Sequence, residues 1–121
     1  MILYIVKMNK LTDVIAKWEA QLRKGTLELA ILAALDNQTR YGLELLNFLH
    51  GYPSLVITEG TLYPLLDRLK RDGVISAYWQ QEGDTRPRKY FTLTDLGRQK
   101  LTLLNERWQQ SMQDINQILT K

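Results

Sequence analysis

Apolar residues return every three or four positions through most of the chain, which is the period of an amphipathic helix. Leu11, Ile15, Trp18 and Leu22 predict a first helix from about Thr12 to Arg23, with Thr12 as its cap. A denser run follows from Thr26 to Leu35, where Leu27, Ala30, Ile31, Ala34 and Leu35 fill one face and mark the buried centre of the domain. Lys24-Gly25 either bends the chain between these stretches or lies inside one long helix. Asp36-Asn37-Gln38 closes the run with turn chemistry. A short helix is then expected from Tyr41 to Leu49, with Leu45, Leu46 and Leu49 inward and Gly51-Tyr52-Pro53 ending it.

The stretch from Thr58 to Gly73 is the most informative. At about 100° per residue, Leu62, Leu65, Leu66 and Leu69 make one core-facing stripe. The opposite side carries Gly60, Pro64, Asp67, Arg68 and Arg71, flanked by Thr61 and Tyr63. Small or ring-closed residues in the first turns let the backbone approach another surface, and guanidinium groups beyond them can reach phosphates or guanine edges. Thr58 or Thr61 could cap this helix, and Pro64 decides little between them. After Thr61 it is the third helical residue, where a missing N–H costs nothing; after Thr58 it is the sixth, with a lost bond to Gly60 that glycine partly tolerates. A loose first turn tightening at Thr61 is preferred.

The period then changes. Val74–Trp79 and Lys89–Leu93 are rich in β-branched and aromatic residues, and the polar turn between them, Gln80 to Pro87, contains Gly83-Asp84. This predicts a hairpin with Arg86, Arg88 and Lys89 at its tip. A helical pair followed by a basic hairpin has the order of a winged helix-turn-helix, the second helix in the major groove and the wing beside the backbone. From a Thr94 cap, Leu101, Leu104, Trp108, Met112, Ile115 and Leu119 step by three and four over about five turns. Such a stripe outruns the surface of so small a body. Pairing with the same helix of a second chain, or with its Leu11–Leu22 helix, assigns dimerisation to Leu11, Ile15, Trp18, Leu22, Leu104, Trp108, Met112, Ile115 and Leu119. The fold class expected is mainly α (α+β): residues 1–10 an N-terminal extension, 11–93 a winged helix-turn-helix with its N-terminal helix, and 94–121 a C-terminal dimerisation helix.

Thr61-Leu62-Tyr63-Pro64, the earlier Arg40-Tyr41-Gly42, and the later Pro87-Arg88-Lys89-Tyr90 with Leu93-Thr94 and Gly97 together resemble the PadR family of bacterial transcriptional regulators. The similarity spans about residues 20 to 119, and it is the order and spacing of these short motifs that make it specific. Phe91 stands where a second tyrosine is frequent. The resemblance implies a homodimeric repressor of the smaller layout with one C-terminal helix, and it places Tyr41, Thr61, Tyr63, Pro64, Arg68, Arg88 and Lys89 at positions matching the DNA-binding surface. With the residue reading added, Thr61, Tyr63, Arg68 and Arg71 are expected on bases, and Tyr41, Arg86, Arg88 and Lys89 on phosphates. In multidrug-responsive members a tryptophan at the spacing of Trp108 clamps a flat aromatic effector across the dimer; the alternative is that Trp108 only fills the dimer core.

Composition narrows the field further. The 121 residues, 45% of them hydrophobic, support one modest core whose stability would gain from a dimer. Cysteine is absent and His50 is the single histidine, so disulfides, thiolate zinc sites and cysteine- or histidine-based catalysis have almost no raw material. No phosphate-cradling loop, carboxylate pair or nucleophile with a base is visible, so an enzyme is not expected and no cofactor is implied. The net charge of +3 suits a polyanion, yet residues 58–90 hold six Lys/Arg against five Asp/Glu, an excess of 6 − 5 = +1. Binding to double-stranded DNA would therefore rest on a few placed contacts in a symmetric pair on a palindromic operator. The alternative is a winged-helix protein-interaction module that does not bind DNA. Met1–Met8 is too short to span a bilayer and lacks the marks of a signal peptide. It reads as an extension before a native start at Met8, or as a segment docking on a partner subunit, in a cytoplasmic protein with no membrane role.

Overall fold

The first helix, α1, runs unbroken from Ile2 to Asp36. The structure is a computed structural model that describes residues 2–36 and 38–121, and for residues 3–8 the backbone alone. Met1 and Asn37, on which the expected extension and the expected turn partly fall, lie outside the described residues. Lys24-Gly25 sits inside α1 and does not interrupt it. A glycine there costs about 1 kcal/mol relative to alanine, a cost offset by the run that follows, in which Leu27, Ile31, Leu32 and Leu35 are buried. One helix therefore replaces the two stretches read from Thr12–Arg23 and Thr26–Leu35, and the extension continues it.

Strand β1 (Arg40–Tyr41) leads into helix α2 (Gly42–His50). The Glu44 side chain accepts the Tyr41 backbone N–H at 3.1 Å and closes the first turn of α2. A 3-10 turn at Pro53–Leu55 connects α2 to helix α3, Glu59–Arg71. His50 anchors this connection: its Nε2–H donates to the Ile57 carbonyl at 2.8 Å. The cap of α3 is Thr58, not the expected Thr61. Thr58 Oγ1 accepts the Thr61 N–H at 3.3 Å, and the Thr58 carbonyl accepts from Thr61 and Leu62. Pro64 thus sits inside the helix as its sixth residue. The bond it cannot donate would have gone to Gly60, which is exposed, so water can satisfy that carbonyl and the break is cheap.

Gly73, at φ +78°, closes α3 in a left-handed conformation, with Val74 N–H returning to the Leu69 carbonyl. Strands β2 (Ile75–Gln80) and β3 (Arg88–Leu93) then form the wing. β1 adds to β3 antiparallel, so the sheet order is β1-β3-β2, with Tyr41 and Tyr78 both opposite Tyr90. Helix α4 spans Asp95–Leu119 from a Thr94 cap whose hydroxyl accepts the Gly97 N–H at 3.0 Å and donates to the Gly73 carbonyl at 2.7 Å. One threonine ties the end of α3 to the start of α4. A Cβ on Gly97 would overlap the Val74 carbonyl oxygen, so only glycine permits this approach.

The core draws on α1 (Ile31, Leu32, Leu35), α2 (Leu45, Leu49), α3 (Leu62, Leu66, Leu69) and the sheet (Ile75, Phe91, Leu93), as the helical stripes predict. Leu65 is only half-buried at its edge. Leu101 and Leu104 also pack on this core, so Leu104, expected between chains, turns toward its own domain. α4 packs on α1, with Lys100 paired to Glu28, and that contact takes up this part of the stripe. No described helix is long and apolar enough to cross a membrane.

Candidate nucleic-acid interface

The exposed side of α3 and the inner side of the wing enclose a cleft of about 620 Å³, with Tyr41, Tyr63, Asp67, Trp79, Arg86 and Arg88 among its walls. Each wall has a local cause. Tyr63 is exposed on α3 because Leu62, Leu66 and Leu69 take the inward positions of the helix. It lies close against the start of α2: a Cβ added at Gly42 would stand 2.5 Å from the Tyr63 hydroxyl oxygen. The Arg-Tyr-Gly and Thr-Leu-Tyr-Pro motifs, far apart in sequence, meet at this contact.

Aromatic stacking holds the wing side. The Tyr90 ring packs edge-on against Tyr41 at 5.5 Å and face-to-face with Tyr78 at 5.8 Å. The Arg88 guanidinium lies over the Tyr41 ring, 4.4 Å from its centroid, which fixes its direction without neutralising it. Burial, with Glu82 and Glu44 nearby and a smaller effect of Tyr41, raises the Tyr90 hydroxyl above its ordinary value against the opposing pull of Arg88. The hydroxyl stays neutral at physiological pH. Arg86 and Lys89 complete the basic rim, and Trp79, opposite Lys89 on the sheet, is 69% exposed.

Tyr41, Tyr63, Arg86, Arg88 and Lys89 therefore come together around one cleft. Thr61, Pro64 and Arg71 are exposed on α3. Arg68 stands apart: its Nη2 lies 3.0 Å from Glu28 Oε1 on α1, and Lys100 Nζ of α4 lies 2.7 Å from the other oxygen of the same carboxylate. Glu28 and Trp79 were not singled out by the sequence. Trp79 was legible as the residue alternating with Tyr78 on a strand, whereas nothing in the linear pattern pairs positions 28 and 68. Among the described residues, no group of three His, Cys, Asp or Glu could hold a metal.

Away from the cleft, two helix faces are uncovered. Leu11, Ile15, Trp18 and Leu22 of α1 are exposed, Trp18 at 59%, as are Ile115 and Leu119 of α4, while Trp108 and Met112 are half-buried. Between the two helices runs a groove of about 550 Å³ whose walls include Leu22, Ala30, Ala33, Leu101, Asn105 and Trp108.

The profile of the Transcriptional regulator PadR-like family matches residues 31–103. A PadR family transcriptional regulator from Eggerthella lenta has a similar crystal structure, with a TM-score of 0.81 and 30% identity over 91% of this chain and 96% of that one. A PadR-like regulator from Bacillus cereus gives a TM-score of 0.77 at 30% identity, covering 84% and 98% of the two chains. A PadR-like transcription factor from Bacteroides fragilis gives 0.70 at 36% identity, covering 84% and 98%. An uncharacterised protein of Lysinibacillus sphaericus is 34% identical over 87 residues, 70% of this chain and 80% of that protein.

Proposed function

Since the chain belongs to the PadR-like family of transcriptional regulators, we propose that it is a sequence-specific DNA-binding repressor that acts as a homodimer and leaves its operator when a signal alters the dimer. The observation that carries this reading is the cleft, where an exposed tyrosine of α3 and three cations of the wing converge. α3 enters the major groove, with Thr61, Tyr63, Pro64 and Arg71 toward base edges. Tyr41, Arg86, Arg88 and Lys89 lie along the phosphates. Arg88, aimed by the Tyr41 ring yet without an acidic partner among the described residues, suits a phosphate.

The uncovered faces of α1 and α4 supply the dimer. Exposing Trp18 on α1 and Ile115 and Leu119 on α4 is costly in water, at roughly 25 cal/mol per Å² of apolar surface, and a second copy provides the same apolar chemistry in return. Two-fold symmetry would set two α3 helices roughly 34–36 Å apart, on successive major grooves of a palindromic site. Trp108 lines the groove between α1 and α4, which supports a flat aromatic effector there as the releasing signal. Such a ligand acts only by binding one spacing of the two wings better than another.

Selection of bound fragments from a random duplex library tests the reading. A palindromic motif is expected, and Tyr63→Ala should lose its enrichment while remaining a dimer. Recovery of no motif by a folded, dimeric protein would favour the interaction-module alternative.

A further inference from the structure

Six cations lie on α3 and the wing: Arg68, Lys70, Arg71, Arg86, Arg88 and Lys89. Among the described residues Arg68 alone of these is ion-paired with an acid. Its partner is unusual for a surface helix pair. Glu28 lies forty residues earlier on α1, its side chain is 14% exposed, and each of its oxygens is engaged, one by Arg68 at 3.0 Å and one by Lys100 at 2.7 Å. Arg68 is itself half-exposed, five residues and about 140° around α3 from Tyr63. A guanidinium so placed, with no carboxylate beside it, would seek any phosphate within reach, whatever the base sequence.

We propose that Glu28 withholds Arg68 from DNA, making Glu28 a specificity-determining residue: it suppresses sequence-independent binding by holding one cation of the reading helix in an internal pair. This rests on the DNA-binding reading above. The carboxylate acts by compensating the charge of the guanidinium and by holding it toward α1 through the bond from Nη2, which a phosphate would have to displace. Because α1 and α4 contribute Glu28 and Lys100, the pair also braces the reading helix against the two helices that carry the uncovered apolar faces. Arg68 is thereby a positioning residue for α3, and Arg71, exposed one turn further on, is left as the guanidinium of this helix that reaches the duplex.

The experiment is a salt titration of binding to a duplex of random sequence, comparing the intact protein with Glu28→Gln, Arg68→Gln and the double variant. Replacing the Glu28 carboxylate by an amide keeps the shape and an acceptor oxygen but removes the charge. Glu28→Gln is expected to bind the random duplex more tightly and to steepen the slope of log K against log salt by about 0.9 for each arginine released. Arg68→Gln alone should leave the slope as it is in the unaltered protein, and the double variant should return to that value. An unchanged slope in Glu28→Gln, a slope reduced by about that amount in Arg68→Gln, or a double variant that stays as steep as Glu28→Gln, which would assign the gain to Lys100 freed from the same carboxylate, overturns the proposal. Should Glu28→Gln not fold, the Arg68→Gln slope decides alone. Failure of the unaltered protein to bind any duplex would instead overturn the DNA-binding reading.

Discussion

Two glycines show how single residues shape the candidate interface. At Gly97 a Cβ would strike the Val74 carbonyl, a backbone atom that cannot swing aside. Gly97→Ala should therefore cost about 1–3 kcal/mol by overpacking, read as a lower denaturant midpoint with an unchanged m-value. At Gly42 the neighbour is the Tyr63 ring, which can move. Gly42→Ala should spare most of the stability but displace Tyr63, and on the proposed reading operator affinity falls by about tenfold or more; equal affinity would remove Tyr63 from the contact set. Tyr90 makes a pH prediction. Its hydroxyl titrates above its ordinary value of 10.0 in the fold, so the folded state holds a proton that the unfolded state releases first. Stability should be unaffected below about pH 10 and fall as pH rises beyond it, and Tyr90→Phe should remove part of that fall.

The elements owe their ends to caps, and here the sequence was only partly legible. The helical stripes of α2 and α3 and the hairpin were readable because each buries one face against a single core, which forces a period on the residues, whereas the stripe of α4 meets that core only at Leu101 and Leu104. β1 was not, since two residues carry no period, and its pairing with β3 is decided by a strand fifty positions away. Thr58 and Thr61 both offer a hydroxyl, and Pro64 decides little between them. The cap is Thr58, because the bond lost at Pro64 falls at exposed Gly60, where water substitutes. The Glu28–Arg68 pair depends on how α1 crosses α3, a tertiary fact without a local signature. Thr94→Ala removes the hydroxyl shared by Gly97 N–H and the Gly73 carbonyl, and it should cost about 1–2 kcal/mol, the upper range for a cap. Thr58→Ala, which loses two longer bonds, one from Thr61 N–H and one to Thr61 Oγ1, each 3.3 Å, should cost about 1 kcal/mol or less. Chemical denaturation of both variants checks the order.

For the whole molecule, the net charge of +3 is small, and the cations near the cleft are few. A single copy would hold DNA weakly, so on this account affinity comes from doubling the contacts. Ile115→Glu places a charge on an uncovered apolar face of α4 and should yield folded single chains by sedimentation, with operator binding lost in parallel. A dimer that persists would move the interface elsewhere. The most direct test is a hydroxyl-radical footprint of the protein on a duplex recovered by selection. The account predicts two equivalent protected patches related by a dyad, their centres separated by about 10–10.5 base pairs. A single protected patch at saturation, or two at a spacing that puts them on opposite faces of the duplex, would contradict it.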